Sequence, residues 1–234
     1  MISDPKIWLI AFVGGILPSI FWLWFWLRED RRNPEPKTLL TIIFFMGMLT
    51  VLLVLPIQKI IQSFAFSYEW ELIAWAGTEE IVKLLMILLV ISGTNQVDEP
   101  TDWPIYLITL ALGFAALENT LFLLKPLEVG DTVVGLLTGH LRFLGATLLH
   151  TISSGVIGIS MGLSFFMSSF KKKLYVLIGI IFAVSLHSIF NFFIIKNGGN
   201  DFLKVFAFLW VGAIVVMLVF EKLRRMNLSI KKIK

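Results

Sequence analysis

The chain has 234 residues, of which 57% are hydrophobic and 15% charged, with a mean hydropathy of +0.87. Soluble domains carry about 25% charged residues, so a water-surrounded fold is excluded and a bilayer, itself an apolar solvent, is the expected surroundings. There is no cysteine, which removes disulfides, thiolate catalysis and Cys-ligated metals. The formal net charge of +4 comes from basic residues in short loops beside apolar runs, the mark of membrane topology rather than of a nucleic-acid partner.

In hydrocarbon every backbone N–H and C=O must be paired internally, which leaves helices or closed barrels. Barrel strands alternate apolar and polar residues over about ten positions, whereas these runs are about twenty residues long and apolar on all sides. The expected fold is therefore all-α, a polytopic transmembrane helix bundle of about seven helices. Residues 1–234 are read as a single integral membrane domain, with a site-bearing core over about 70–195.

The first run, Ile7–Leu27, is too long for a signal-peptide core and lacks a small-residue cleavage site, so it reads as a retained helix. Six more follow: Thr38–Leu55, Trp70–Ile91, Trp103–Leu124, Leu141–Met167, Leu174–Ile195 and Phe202–Phe220. Val129 to Arg142 reads as an outer interfacial helix or as the first turns of the fifth span. Three basic clusters follow spans one, five and seven: Arg28, Arg31, Arg32 and Lys37; Lys171 to Lys173; and Lys222, Arg224, Arg225, Lys231, Lys232 and Lys234. With seven spans they share one side, which the positive-inside rule makes the cytoplasm, so the N-terminus lies outside and the C-terminus inside.

Polar residues within the spans carry the functional signal. Glu79, Glu80 and Lys83 fall in the third, Glu118 and Asn119 in the fourth, His150 in the fifth, and His187 and Asn191 in the sixth. A charge at mid-bilayer costs about 3 kcal/mol on an insertion scale, so such residues face one another or a wet cavity. At 1.5 Å per residue, Glu79 lies roughly 13 Å from the outer surface, Glu118 roughly 9 Å, and His150 and His187 roughly 12–14 Å. Four helices of alternating direction thus bring their ionisable groups to one level, which points to one polar site in the outer half of the membrane. Lys83 is i,i+4 from Glu79 and i,i+3 from Glu80, so it pairs with either, and His187 and Asn191 share a face. A purely structural ion pair would still leave a surplus carboxyl. Ser154, Gly158 and Gly162 read as a ridge of small residues for close helix packing.

Carboxylates and histidines in a membrane pocket suit the activation of water for hydrolysis, or proton carriage in a transporter. No H-E-x-x-H motif is present, and all six aspartates lie in loops or near span ends, which argues against zincin-type and aspartyl intramembrane proteases. Gly158 to Gly162 matches G-x-S-x-G, but inside a helix rather than on a strand-to-helix elbow, so it reads as coincidence; a Ser160–His187 dyad is a minor alternative.

The ordered set Glu79-Glu80-Ile-Val-Lys83, Phe114-Ala-Ala-Leu-Glu118-Asn119, His150 and His187-x-x-x-Asn191 resembles the PrsW family of intramembrane proteases, grouped with type II CAAX prenyl endopeptidases and bacteriocin self-immunity proteins. The resemblance implies a glutamate-dependent endopeptidase in the bacterial plasma membrane. Its expected substrate is a single-pass membrane protein such as an anti-sigma factor, cut at the outer side to start regulated intramembrane proteolysis. Carried over, Glu79 activates water, Glu80 orients His187, and His187 and Asn191 hold the oxyanion, with Lys83 and Asn119 supporting. Glu118 stands where the CAAX enzymes have His, leaving Glu118 and His150 as alternatives for completing the base dyad. No cofactor is required by this reading; a metal, if bound, would use Glu79, Glu118, His150 and His187. The alternatives are an ion-coupled transporter and a non-catalytic immunity or binding protein.

Overall fold

A computed structural model describes residues 4–29, 34–64, 66–129, 145–196 and 202–231. Among these there are seven helices: α1 (Pro5–Glu29), α2 (Lys37–Ser63), α3 (Tyr68–Ile91), α4 (Asp102–Glu128), α5 (Thr147–Leu163), α6 (Ser169–Lys196) and α7 (Phe202–Lys231). Five of them (α1, α2, α4, α6 and α7) are long and apolar enough to cross a membrane. The charges of Glu79, Glu80 and Lys83 set α3 apart from these, and the described part of α5 is shorter. The segment that would settle how the fifth span begins, 130–144, lies outside the described residues. This is a multi-pass membrane protein built as a helical bundle.

Six of the helices overrun their expected spans at one end or both, most usefully α2, whereas the described part of α5 ends at Leu163, short of the expected Met167. The second span was expected to end at Leu55, but the helix runs on through Pro56 to Ser63. Proline is tolerated in membrane helices because neighbours re-satisfy the freed carbonyl. The extra turns carry Gln58 to the polar site. Likewise, α6 begins at Ser169, so Lys171 to Lys173 form its first turns rather than a loop.

Helix α4 is the hub, packed chiefly against α1, α2 and α5; 78% of its membrane-length window is buried, so its apolar residues face protein rather than lipid. The lipid-facing sides are carried by residues such as Phe45, Leu52, Leu85, Leu89, Phe182 and Leu218, all exposed. In lipid there is little hydrophobic force between helices, so close backbone approach and dispersion must hold them. The α2–α4 crossing shows this. A Cβ on Gly113 would collide with the Phe44 carbonyl, and one on Gly47 with the Leu110 carbonyl. Two glycines thus let the backbones touch, and Phe114, the residue after Gly113, is seated against the polar site. Gly158 and Gly162 play the expected packing role at the other side of α4, where added Cβ atoms would run into Pro104 and Pro100.

At the start of α4, a second polar contact pins the chain entering α2. The Asp102 carboxylate accepts the backbone N–H groups of Asp98 (2.9 Å) and Glu99 (2.7 Å), closing the α3–α4 turn. The Tyr106 hydroxyl meets the Glu35 carboxyl and the Gln96 carbonyl, the latter at 2.7 Å. Burial pushes the Glu35 carboxyl above its ordinary value of 4.5, and the nearby Asp98 and Glu99 charges add to this; hydrogen bonds from Tyr106 and Asp102 oppose it.

Two outcomes follow from this packing. Gly113→Ala forces the Phe44 backbone away and lowers stability by about 1–3 kcal/mol, read as an earlier midpoint in detergent unfolding, whereas Leu89→Ala on the lipid face shifts it far less. A carboxyl raised in the folded state stabilises fully below its unfolded pKa, and that contribution is lost as pH rises through the folded value. The melting temperature therefore falls as pH rises above about 4.5, and Glu35→Gln makes the decline shallower.

Candidate active site

The third helix supplies the centre of the site because its polar residues repeat at three and four positions. Glu80 and Lys83 are both fully buried, with the Lys83 ammonium 2.9 Å from Glu80 Oε1. Glu80 Oε1 also takes the His187 Nδ1–H at 3.0 Å, and Glu80 Oε2 takes the Ser154 hydroxyl at 2.7 Å. Three donors from three helices (α3, α5 and α6) thus converge on one carboxylate. That is how a charge survives away from water: paired and fully hydrogen-bonded. The remaining reach of Lys83 goes to His150 Nδ1 at 2.9 Å and to the face of the Phe114 ring, 4.1 Å from its centroid.

These partners fix the ring tautomers. Lysine only donates, so His150 accepts at Nδ1, carries its proton at Nε2 and donates it to Glu118 Oε2 at 3.1 Å. A carboxylate only accepts, so His187 carries its proton at Nδ1, leaving Nε2 bare. The two rings stand edge to face, 5.1 Å apart.

Glu79 is held differently. Its Oε1 accepts the Gln58 side-chain amide from α2 at 3.0 Å. Its Oε2 is buried and has no hydrogen-bond partner among the described residues. It lies 3.7 Å from His187 Nε2, 3.9 Å from His150 Nδ1 and 3.8 Å from the Lys83 ammonium. Glu79 Oε2 and His187 Nε2 therefore face each other at 3.7 Å without a hydrogen bond between them. Such a gap suits a species that donates to both, a water molecule, or one that binds both, a metal ion.

The group opens onto a cavity of about 430 Å³ walled by five of the helices. Glu79, Glu118, His150, His187 and Asn191 all line it, together with Gln58 and Trp75 and apolar residues such as Leu72, Leu121 and Phe190. An apolar pocket with a few convergent polar groups is the usual form of a binding site.

The structure thus gathers six of the eight residues singled out in the sequence around Glu79 and Glu80: those two, Lys83, Glu118, His150 and His187. Asn191 is half-buried on the cavity wall. Asn119 is placed elsewhere: its amide donates to the Thr147 hydroxyl at 2.9 Å, tying α4 to α5. Ser154, expected only to pack, is a ligand of Glu80. Ser160 is no partner for His187. Its hydroxyl donates to the Val156 carbonyl at 2.9 Å and backs onto Gly179, two helical turns before His187. Gln58 and Trp75 were missed. The signal for Gln58, a lone amide just past an apolar run, was hidden because the second span was expected to end at Leu55.

Comparison with known proteins agrees with this architecture. Residues 35–220 match the model of the PrsW family of intramembrane metalloproteases. The chain belongs to that family. It is 25% identical to Protease PrsW of Geobacillus kaustophilus over 79% of each chain. It is 28% identical to that of Oceanobacillus iheyensis, over 86% of this chain and 91% of the relative, and 23% identical to that of Bacillus subtilis, over 84% and 89%. No solved structure matches. The protein is an intramembrane protease.

The family description calls for a test of metal binding. Among the described residues, Glu79, His150 and His187 each bring one ligand atom within 4.8 Å of the others, all buried. Two histidines and a carboxylate are a known zinc donor set. The unpaired Glu79 Oε2 and bare His187 Nε2 fit it, with Glu80 behind His187 as the outer carboxylate that orients a metal-bound ring. His150 has partners at both nitrogens, Lys83 and Glu118, so it would exchange one of them for an ion.

Removing one partner of a buried pair leaves an uncompensated charge and costs about 3–5 kcal/mol. Lys83→Met therefore lowers the thermal unfolding midpoint in detergent strongly. Glu79→Gln, which replaces a carboxyl that has no fully hydrogen-bonded role, lowers it much less.

Proposed function

We propose that this PrsW-family protease hydrolyses a peptide bond of a single-pass membrane protein, such as an anti-sigma factor, with water activated at Glu79. The observation that carries the reading is the buried, unpaired Glu79 Oε2 facing bare His187 Nε2 on the wall of the cavity. In the orientation expected from the basic loops, this cavity lies in the outer half of a bacterial plasma membrane, which suits a first cut on the outer side.

A water in the gap between Glu79 and His187 gives a proton to Glu79 as its oxygen attacks the carbonyl carbon of the substrate. His187, held by Glu80, and Asn191 face the developing oxyanion as donors. For His187 to donate from Nε2, it takes a second proton from solvent as substrate enters and returns it to solvent after the products leave, and the Glu80 carboxylate at 3.0 Å stabilises the cation meanwhile. The C–N bond then breaks, and the proton taken by Glu79 passes to the leaving amine. His150 sits between Glu79 and Glu118, 3.9 Å from the first and 3.1 Å from the second. These distances support a base dyad of Glu79 and His150, with Glu118 fixing the His150 ring from behind. Bound by Glu79, His150 and His187, a divalent cation would supply Lewis-acid polarisation of the carbonyl and a more acidic water. The residues keep their orienting roles in either case.

Co-expression of tagged single-pass membrane proteins with wild type or Glu79→Gln tests the reading on a blot. The expected result is a substrate fragment with wild type and none with Glu79→Gln at equal accumulation in the membrane. Equal fragment from both would remove Glu79 from the chemistry. Proton flux in liposomes without any fragment would favour transport instead.

A further inference from the structure

The same stretch of α3 that holds Glu79 carries a second unpaired polar atom. The indole N–H of Trp75 is buried and has no hydrogen-bond partner among the described residues, and Trp75 lines the cavity beside Glu79. The two residues are i,i+4, so their Cβ atoms lie about 5–6 Å apart on one face of the helix. Indole is a donor only. A buried donor left unmade costs about 1–3 kcal/mol, more in a region with no water to compensate. The indoles of Trp22 and Trp26 are also without a partner among the described residues, but they pack against Trp210 and Phe220 of α7 and do not line the cavity.

The cavity face of α3 thus offers one unpaired acceptor, Glu79 Oε2, and one unpaired donor, Trp75 Nε1, a turn apart. A peptide bond undergoing hydrolysis needs that combination: an acceptor for the proton of the attacking water, and a donor for the carbonyl oxygen on which charge develops. We propose that Trp75 is a catalytic residue whose indole N–H binds the carbonyl oxygen of the peptide bond being cut, adding a donor to those of His187 and Asn191. The inference rests on the proteolytic reading above. In the reaction the new C–O bond forms as the carbonyl π pair moves onto oxygen. Trp75 keeps its own proton throughout and stabilises that oxygen by hydrogen bonding alone.

The test uses the full-length protein purified in detergent with a substrate that wild type has been shown to cut, followed at varied substrate concentration. Trp75→Phe keeps an aromatic ring but deletes the donor. Loss of one oxyanion donor lowers kcat by about 10²- to 10³-fold, and KM is expected to stay within about twofold, since the bond is made mainly in the transition state. Replacement of Trp75 by its benzothiophene analogue, with sulfur in place of the N–H at nearly the same shape, gives the same loss and covers a fold defect in Trp75→Phe. Trp75→His, which retains a ring N–H, recovers part of kcat. Wild-type kcat in the benzothiophene variant, or a change confined to KM, overturns the inference while cleavage by wild type and silence of Glu79→Gln leave the proteolytic reading standing. Cleavage by Glu79→Gln at the wild-type rate overturns that reading instead, and the inference with it.

Discussion

The arrangement depends on one constraint, that an ionised carboxylate and an ammonium must live inside a membrane bundle. Glu80 and Lys83, both fully buried and 2.9 Å apart, meet it only because other helices contribute. The hydroxyl of Ser154 and the ring of His187 complete the carboxylate, while the His150 ring and the Phe114 face complete the ammonium. These partners belong to α4, α5 and α6, so the pair is satisfied only when those helices have docked against α3. A buried ion pair contributes little net stability against an apolar substitute. What this one supplies is placement: two histidines end up with known tautomers and fixed rings.

From that placement the reactive part of the site follows. His187, bound through Nδ1 to Glu80, turns its bare Nε2 toward Glu79. His150, bound at both nitrogens, stands on the other side of the same carboxylate oxygen. Gln58 occupies the other Glu79 oxygen, so only one oxygen is left to act. The division of labour between two adjacent glutamates is thus set by surroundings: Glu80 is saturated and structural, Glu79 is under-satisfied and faces the cavity. Adjacent carboxyls of identical chemistry acquire different roles because one points among donors and the other toward space.

Much of this was legible in the sequence because the bilayer makes polar residues conspicuous. Glu79, Glu80, Lys83, Glu118, His150 and His187 stood out against apolar runs, and a rise of 1.5 Å per residue was enough to bring their levels together before any packing was known. What failed has identifiable causes. The second span was read to Leu55, where its apolar run ends, whereas α2 continues to Ser63 and delivers Gln58. Ser154 was grouped with Gly158 and Gly162 by size, but its hydroxyl, not its size, decides its role. Asn119 was drawn toward the site by its neighbour Glu118, yet consecutive helical residues point about 100° apart, and it binds Thr147 instead. Trp75 was invisible for a different reason: tryptophan is common in membrane helices, and only packing tells whether its N–H has found a partner.

The unmet polar atoms are the more informative half of the site. A bundle that satisfies Glu80 from three helices and Thr147 with Asn119 has partners available for polar atoms where stability is at stake. That Glu79 Oε2 lacks one at the centre of the same network, within 4 Å of a lysine and two histidines, is therefore unlike a packing defect at the edge of a fold. Saturating Glu79 as fully as Glu80 would remove the acceptor on which the proposed attack at a peptide carbonyl depends.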